Sequence, residues 1–146
     1  MNHKATILTF VMVVGVGFFL ANTGQNFIYS NLEDSHMNDI AGRVSVGPQI
    51  QLADLAVLKA QGIEVVINNR PDGEVAEQPS HEAMAEASAA LGLSYYFIPV
   101  SPRGLTQENV DDMQAALVAT SGPVFAYCRS GNRSGILLQA ATQGGS

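Results

Sequence analysis

The sequence predicts an α/β fold: a mainly parallel sheet of four or five strands flanked by helices. Three observations carry it. Short apolar, β-branched or aromatic runs alternate with longer stretches of helical period. The central runs, such as Val65-Val66-Ile67 and Val124-Phe125-Ala126-Tyr127, are apolar without alternation, as expected of strands covered on both faces. Glycine and proline punctuate nearly every junction, as in a chain that alternates between strand and helix.

Taken in order, Ala5 to Ala21 is seventeen uncharged residues, preceded by His3 and Lys4 and followed by Glu33 and Asp34. That length suits a short transmembrane helix or a signal-peptide core. Phe19 stands where a cleavage site wants a small residue, so an uncleaved anchor over 1–21 is expected. Lys4 on the short side then places the following domain on the extracytoplasmic, periplasmic side. Met37 is an alternative start. Residues 22–37 are polar and read as a linker, leaving 38–146 as one domain.

Within the domain, Arg43 to Val46 reads as a strand stopped by Gly47-Pro48. Leu52 to Gln61 reads as a helix with Leu52, Leu55 and Leu58 in register and Gly62 at its end. Glu64 to Asn68 is a strand, and Arg70-Pro71-Asp72-Gly73-Glu74 a turn-rich loop after it. Ser80 can cap a helix to Leu91 that turns Met84, Ala87 and Leu91 inward. Tyr95 to Ile98 is a strand followed by the loop Ser101-Pro102-Arg103-Gly104. Thr106 to Thr120 is a helix with Val110, Met113 and Leu117 inward. Val124 to Tyr127 is the last strand, and Ser134 to Ala141 a short last helix.

Between that strand and that helix lies Cys128-Arg129-Ser130-Gly131-Asn132-Arg133, which holds the only cysteine in the chain. A lone cysteine is usually a small buried hydrophobe. Here polar residues, a glycine and two arginines follow it. A helix N-terminus offers unpaired N–H groups and partial positive charge, and successive amides can curl into an anion nest. Each of these lowers a thiol's pKa, and the thiolate is the nucleophile. In a parallel sheet, ligands sit beyond the carboxyl ends of the strands. The loops Arg70–Glu74, Ser101–Gly104 and Cys128–Arg133 all fall there. His81, in a first helical turn, reads as a solvated surface residue.

Net charge is −6, which argues against nonspecific nucleic-acid binding. Two of the seven Lys/Arg residues sit in the cysteine loop, so positive charge is focused there and suits a small anionic substrate. The three histidines are scattered, and neither a metal site nor a cofactor is expected.

Val66-Ile67-Asn68-Asn69-Arg70-Pro71-Asp72-Gly73-Glu74, Ile98-Pro99-Val100 and the cysteine loop together resemble the phosphatase-like domain of beta-lactamase hydrolase-like proteins, over roughly residues 38–142. The resemblance implies a fold like that of dual-specificity and tyrosine phosphatases. The loop wording also resembles the active-site loop of single-domain rhodaneses. The two resemblances imply different chemistry. Cys128 and Arg133 are separated by four residues, as in rhodaneses and one fewer than in the phosphatase pattern. A tighter nest suits a single sulfur atom on the cysteine. The phosphatase pattern also supplies an aspartate after the Ile-Pro-Val strand, where this chain has Ser101-Pro102-Arg103-Gly104. Expelling an alkoxide benefits from a proton donor, whereas sulfite or a thiolate leaves without one.

The first expectation is therefore a sulfurtransferase. Cys128 would take sulfane sulfur from thiosulfate or a persulfide and pass it to a thiol acceptor. Arg133 would stabilise developing charge. Arg129, Ser130, Gly131, Asn132 and Ser134 would line the substrate nest. The second expectation is a phosphatase: a phosphate ester would form a phosphocysteine at Cys128, with Arg133 on its oxygens and Asp72, or else Glu74, as the acid. The third is a membrane-tethered sensor whose thiol is modified without turnover.

Overall fold

The computed structural model describes residues 39–143. The expected membrane segment and linker lie outside the described residues. Among those residues no helix is long and apolar enough to cross a membrane.

Four strands form the sheet: β1 (Val44–Gly47), β2 (Val65–Asn68), β3 (Ser94–Phe97) and β4 (Val124–Tyr127). Their spatial order is β1-β4-β2-β3, and every pairing is parallel. Four is the lower end of the expected number. Four helices connect or follow them: α1 (Asp54–Ala60), α2 (His81–Ala90), α3 (Gln107–Val118) and α4 (Asn132–Gln143).

Each helix buries one apolar stripe, and the stripes divide between the two sheet faces. Leu55 of α1 and Met84 of α2 pack with Val66 and Tyr127 on one face. Met113 and Leu117 of α3 and Leu137 and Ala141 of α4 pack with Ile67 and Ala126 on the other. β2 and β4 lie at the centre and present side chains to both cores, so β2 is buried at all four positions. This is why those strands read as unbroken apolar runs.

Local chemistry sets the helix starts. Ser80 Oγ accepts from Ala83 N–H, and Thr106 forms a reciprocal capping box with Asn109. Three expectations change. Leu52 is 44% exposed, because α1 starts at Asp54 and is anchored by Leu55, with Leu58 only partly buried. The strand expected over Tyr95–Ile98 sits one residue earlier, in the register set by pairing Val65 with Ser94. The last helix begins at Asn132, two residues before the expected start, and runs for 12 residues.

The topology decides where the site is. The chain runs from β1 past β4's position to β2, on to edge strand β3, then back between β1 and β2. The carboxyl end of central β4 therefore opens among the loops after β1, β2 and β3.

Candidate active site

Cys128 follows β4 directly and is buried. Its surroundings are polar on the side that matters. Gly131 N–H donates to Sγ at 3.1 Å. Burial opposes charge on this thiol, yet the backbone amides of Ser134, Ser130, Gly131 and Arg133 outweigh it and hold Cys128 below the ordinary thiol range. The expected nest is thus present at the start of α4. Gly131 makes it possible. Its φ is +94°, and a Cβ there would stand 3.2 Å from the Gly47 carbonyl oxygen. Only glycine fits without strain. Gln49 N–H donating to Arg129 O at 3.2 Å ties the loop after β1 to the same nest.

Arg133 reaches back across the loops. Its Nη1 donates to Glu74 Oε1 at 2.7 Å and to Val100 O at 2.9 Å, and its Nη2 donates to Glu74 Oε2 at 2.9 Å. Glu74 also accepts from Arg70 Nε at 2.8 Å, and Arg70 Nη1 donates to Gln49 Oε1 at 3.0 Å. Between two guanidinium groups the Glu74 carboxyl is lowered to about 2, by Arg133 first and, against the opposing effect of burial, by Arg70. Glu74 is thereby an ion-pair partner and not a proton donor near neutral pH. Arg133 is raised in turn, by Glu74 first and, against burial, also by its contact with the Cys128 sulfur.

Asp72 bonds to His81 and not to the groups of that cluster. Its Oδ1 accepts from His81 N–H at 2.9 Å, and its Oδ2 lies 2.5 Å from His81 Nδ1. The His81 ring stacks on Phe97, with centroids 4.1 Å apart and planes 8° from parallel. His81 is thus a surface residue, with its side chain 33% exposed, that is held by a carboxylate and an aromatic face.

Of the other expected site residues, Arg129, Ser130 and Asn132 are exposed at the mouth. Ser134 is buried. Its amide turns toward Cys128, while its hydroxyl donates to Asn69 Oδ1 at 2.8 Å. Asn69 completes a seam that sequence reasoning passed over. Its N–H donates to Tyr127 O, its Nδ2 to Ile98 O, and its carbonyl accepts from Val100 N–H. One buried asparagine thus joins the ends of β2, β3 and β4. The only signal for it was polarity, Asn68-Asn69-Arg70, following an apolar strand. Gln49 carried no signal of its role, and Arg70 only its place in the loop Arg70–Glu74.

What the arrangement offers is an anion nest with a thiol of lowered pKa at its base and the Arg133 side chain at its rim. Such a site can hold a tetrahedral oxyanion against a nucleophile.

Residues 36–145 match the family model described as beta-lactamase hydrolase-like protein, phosphatase-like domain. A beta-lactamase hydrolase-like protein of Agrobacterium fabrum is 39% identical over 92 residues, which is 63% of this chain and 21% of that protein. The chain thus spans about a fifth of the length of that curated relative. A candidate phosphatase of Neisseria meningitidis is 30% identical with a TM-score of 0.57, covering 65% of this chain and 68% of that one. A candidate phosphatase of Shewanella putrefaciens, 23% identical, shares the fold with a TM-score of 0.62 over 70% of this chain and 68% of its own. The family model and both structures carry phosphatase or phosphatase-like descriptions, and none of these likenesses supports the sulfur transfer expected from loop length. By the match over residues 36–145, the chain belongs to the beta-lactamase hydrolase-like proteins as a bearer of their phosphatase-like domain.

Proposed function

We propose that the domain is a cysteine-dependent phosphatase acting on phosphate monoesters. The observation that carries it is the Cys128 nest closed by Arg133, in a chain whose family is phosphatase-like. The Cys128 thiolate attacks phosphorus. The S–P bond forms as the ester P–O bond breaks, and the departing oxygen takes a proton. The amides of Ser130, Gly131, Arg133 and Ser134 and the Arg133 guanidinium hold the phosphoryl oxygens as charge develops on them. Water then attacks phosphorus, a P–O bond forms as the S–P bond breaks, and inorganic phosphate leaves with the thiolate restored. Arg129, exposed at the mouth, attracts the anion.

The proton donor is the part the sequence left to Asp72. Both Asp72 oxygens engage His81 at the start of α2, so in this reading the donor is the Asp72–His81 pair and not a lone carboxyl.

The test uses one preparation of the full chain. It is given p-nitrophenyl phosphate in one reaction and thiosulfate with cyanide in another. Phosphate release abolished by Cys128→Ser is the expected result. Thiocyanate formation without phosphate release would overturn the proposal in favour of sulfur transfer. A Cys128→Ser protein with undiminished phosphate release would remove the cysteine mechanism altogether.

A further inference from the structure

Beside the nest lies a cleft of about 160 Å³, between the loop after β3 and the first turns of α4. Val100, Pro102, Leu105 and Ile136 give it apolar walls, and Asn132 and Arg133 are shared with the cysteine loop. Val100 O accepts from Arg133 Nη1 at 2.9 Å, so the cleft opens directly beside that guanidinium. An apolar cavity of about 150 Å³ accepts a benzene ring, so this cleft has room for a carbon frame of that size. No acidic side chain lines it.

The outer wall is a turn with its own hydrogen bonds. In Ser101-Pro102-Arg103-Gly104, Gly104 N–H donates to Ser101 O at 3.1 Å and Arg103 N–H donates to Ser101 Oγ at 3.2 Å. Proline at the second position presets the backbone. Behind the turn, Asn109 Nδ2 donates to Pro99 O at 3.1 Å and ties the loop to α3. The turn carries Arg103 exposed at its tip. Arg70 and Arg133 are both paired with Glu74. Among the described residues no ion pair engages Arg103 or Arg129, and Glu108, the next acid after the turn, does not reach Arg103. Arg129 belongs to the mouth of the nest; Arg103 is the cation whose turn walls the cleft.

We propose that the cleft and Arg103 form a second subsite, which selects phosphate monoesters whose alcohol carries a further anionic group on a compact carbon frame. The proposal rests on the phosphatase reading of the nest and names its substrate class. The phosphoryl group lies in the nest, the frame packs against Leu105 and Ile136, and the second anion meets the Arg103 guanidinium at the lip. That contact is remote from the breaking bond. It acts alike on bound substrate and transition state, so it lowers KM and leaves kcat unchanged. The field of the whole protein would also favour the more anionic ester, but any cation would contribute to that effect.

The experiment measures kcat and KM of the full chain for phenyl phosphate and 4-carboxyphenyl phosphate, in wild type, Arg103→Glu, Arg103→Gln and Lys59→Glu. The two glutamate variants change net charge equally, but Lys59 lies in the last turn of α1, which leads back to the amino end of β2. Comparing each variant with wild type cancels the difference between the leaving groups, and far-UV circular dichroism confirms folding. Wild type should show the lower KM for the carboxylated ester. In Arg103→Glu the preference for that ester in kcat/KM should fall by at least about fivefold, through KM, as an exposed ion pair becomes a like-charge repulsion. Arg103→Gln, which removes only the charge, should fall between. Lys59→Glu should move the preference by less than about twofold, because solvent and salt screen a distant charge. An equal fall in both glutamate variants would overturn the proposal and leave only the field of the whole protein. A preference that both Arg103 variants leave unmoved, or that falls through kcat alone, would also overturn it. A wild-type chain that hydrolyses neither ester refutes the phosphatase reading itself, and with it this inference. Hydrolysis of phenyl phosphate with an unmoved preference refutes the subsite alone.

Discussion

Replacing Glu74 by glutamine should change stability in a way that tracks pH. The carboxyl is displaced from 4.5 to about 2 by its two arginines, and its side chain is only 18% exposed. At 1.36 kcal/mol per pH unit, that displacement corresponds to about 3 kcal/mol of folding stability. The sign follows from the depressed value. The contribution is fully present above the unfolded carboxyl's pKa and is lost as pH falls toward the folded one. Wild type should therefore exceed Glu74→Gln by about 3 kcal/mol at neutral pH, by about 2 kcal/mol near pH 3.5, and by almost nothing below about pH 1. The variant also strands the buried Arg70 beside a neutral partner, which adds to the neutral-pH difference. Urea unfolding of the two proteins from pH 7 to about 3.5 measures the difference directly, and all other carboxylates cancel. A gap that stays constant across this range would refute the reasoning. Glu74 would then be stabilising through shape or neutral hydrogen bonding and not as a paired anion.

Other outcomes follow from the same structure. Gly131→Ala should cost about 1–3 kcal/mol, since it forces a side chain into a left-handed backbone against the Gly47 carbonyl. It should also slow alkylation of Cys128 at neutral pH by turning an amide away from Sγ, as iodoacetamide kinetics would show. In wild type the pH midpoint of that alkylation should lie below the ordinary thiol range, because the amides outweigh burial; a midpoint at or above it would deny the nest its role. Asp72→Asn and His81→Gln should each slow phenyl phosphate turnover more than p-nitrophenyl phosphate turnover, because the poorer leaving group needs the proton more. Their double variant should lose little beyond either single one, and additive losses would show two independent roles. Thr106→Ala should lower stability by about 1 kcal/mol through loss of the capping box, read from thermal or urea melts without effect on the nest.

Much of the architecture was legible because it rests on local rules. Apolar period, capping residues and glycine stops are properties of a few neighbouring residues. They located all four strands and all four helices to within a few positions. The cysteine loop was legible for the same reason. A cysteine, a glycine and two arginines at a strand-to-helix corner define an anion nest through backbone geometry that neighbouring residues impose. Even the loops around it could be placed at the sheet's carboxyl edge, from the alternation of elements alone.

The partners of each side chain were not legible. Glu74 and Arg133 are 59 residues apart, and Ser134 meets Asn69 across 65. Whether Glu74 is an acid or the brace of an arginine depends on which charges the sheet order brings to it. That order, β1-β4-β2-β3, is fixed by packing two helical stripes on each face and not by any single segment. The same holds for His81. In sequence it is one polar residue in a helix's first turn, and it gained an aspartate and a phenylalanine face only when α2 folded onto β3. The sequence by itself determined where the lone cysteine meets a nest of amides that lowers its pKa, since that follows from adjacent backbone groups. Only the tertiary structure decided what holds Arg133 in place and where Asp72 points, because those are long-range electrostatic pairings that exist once the loops converge.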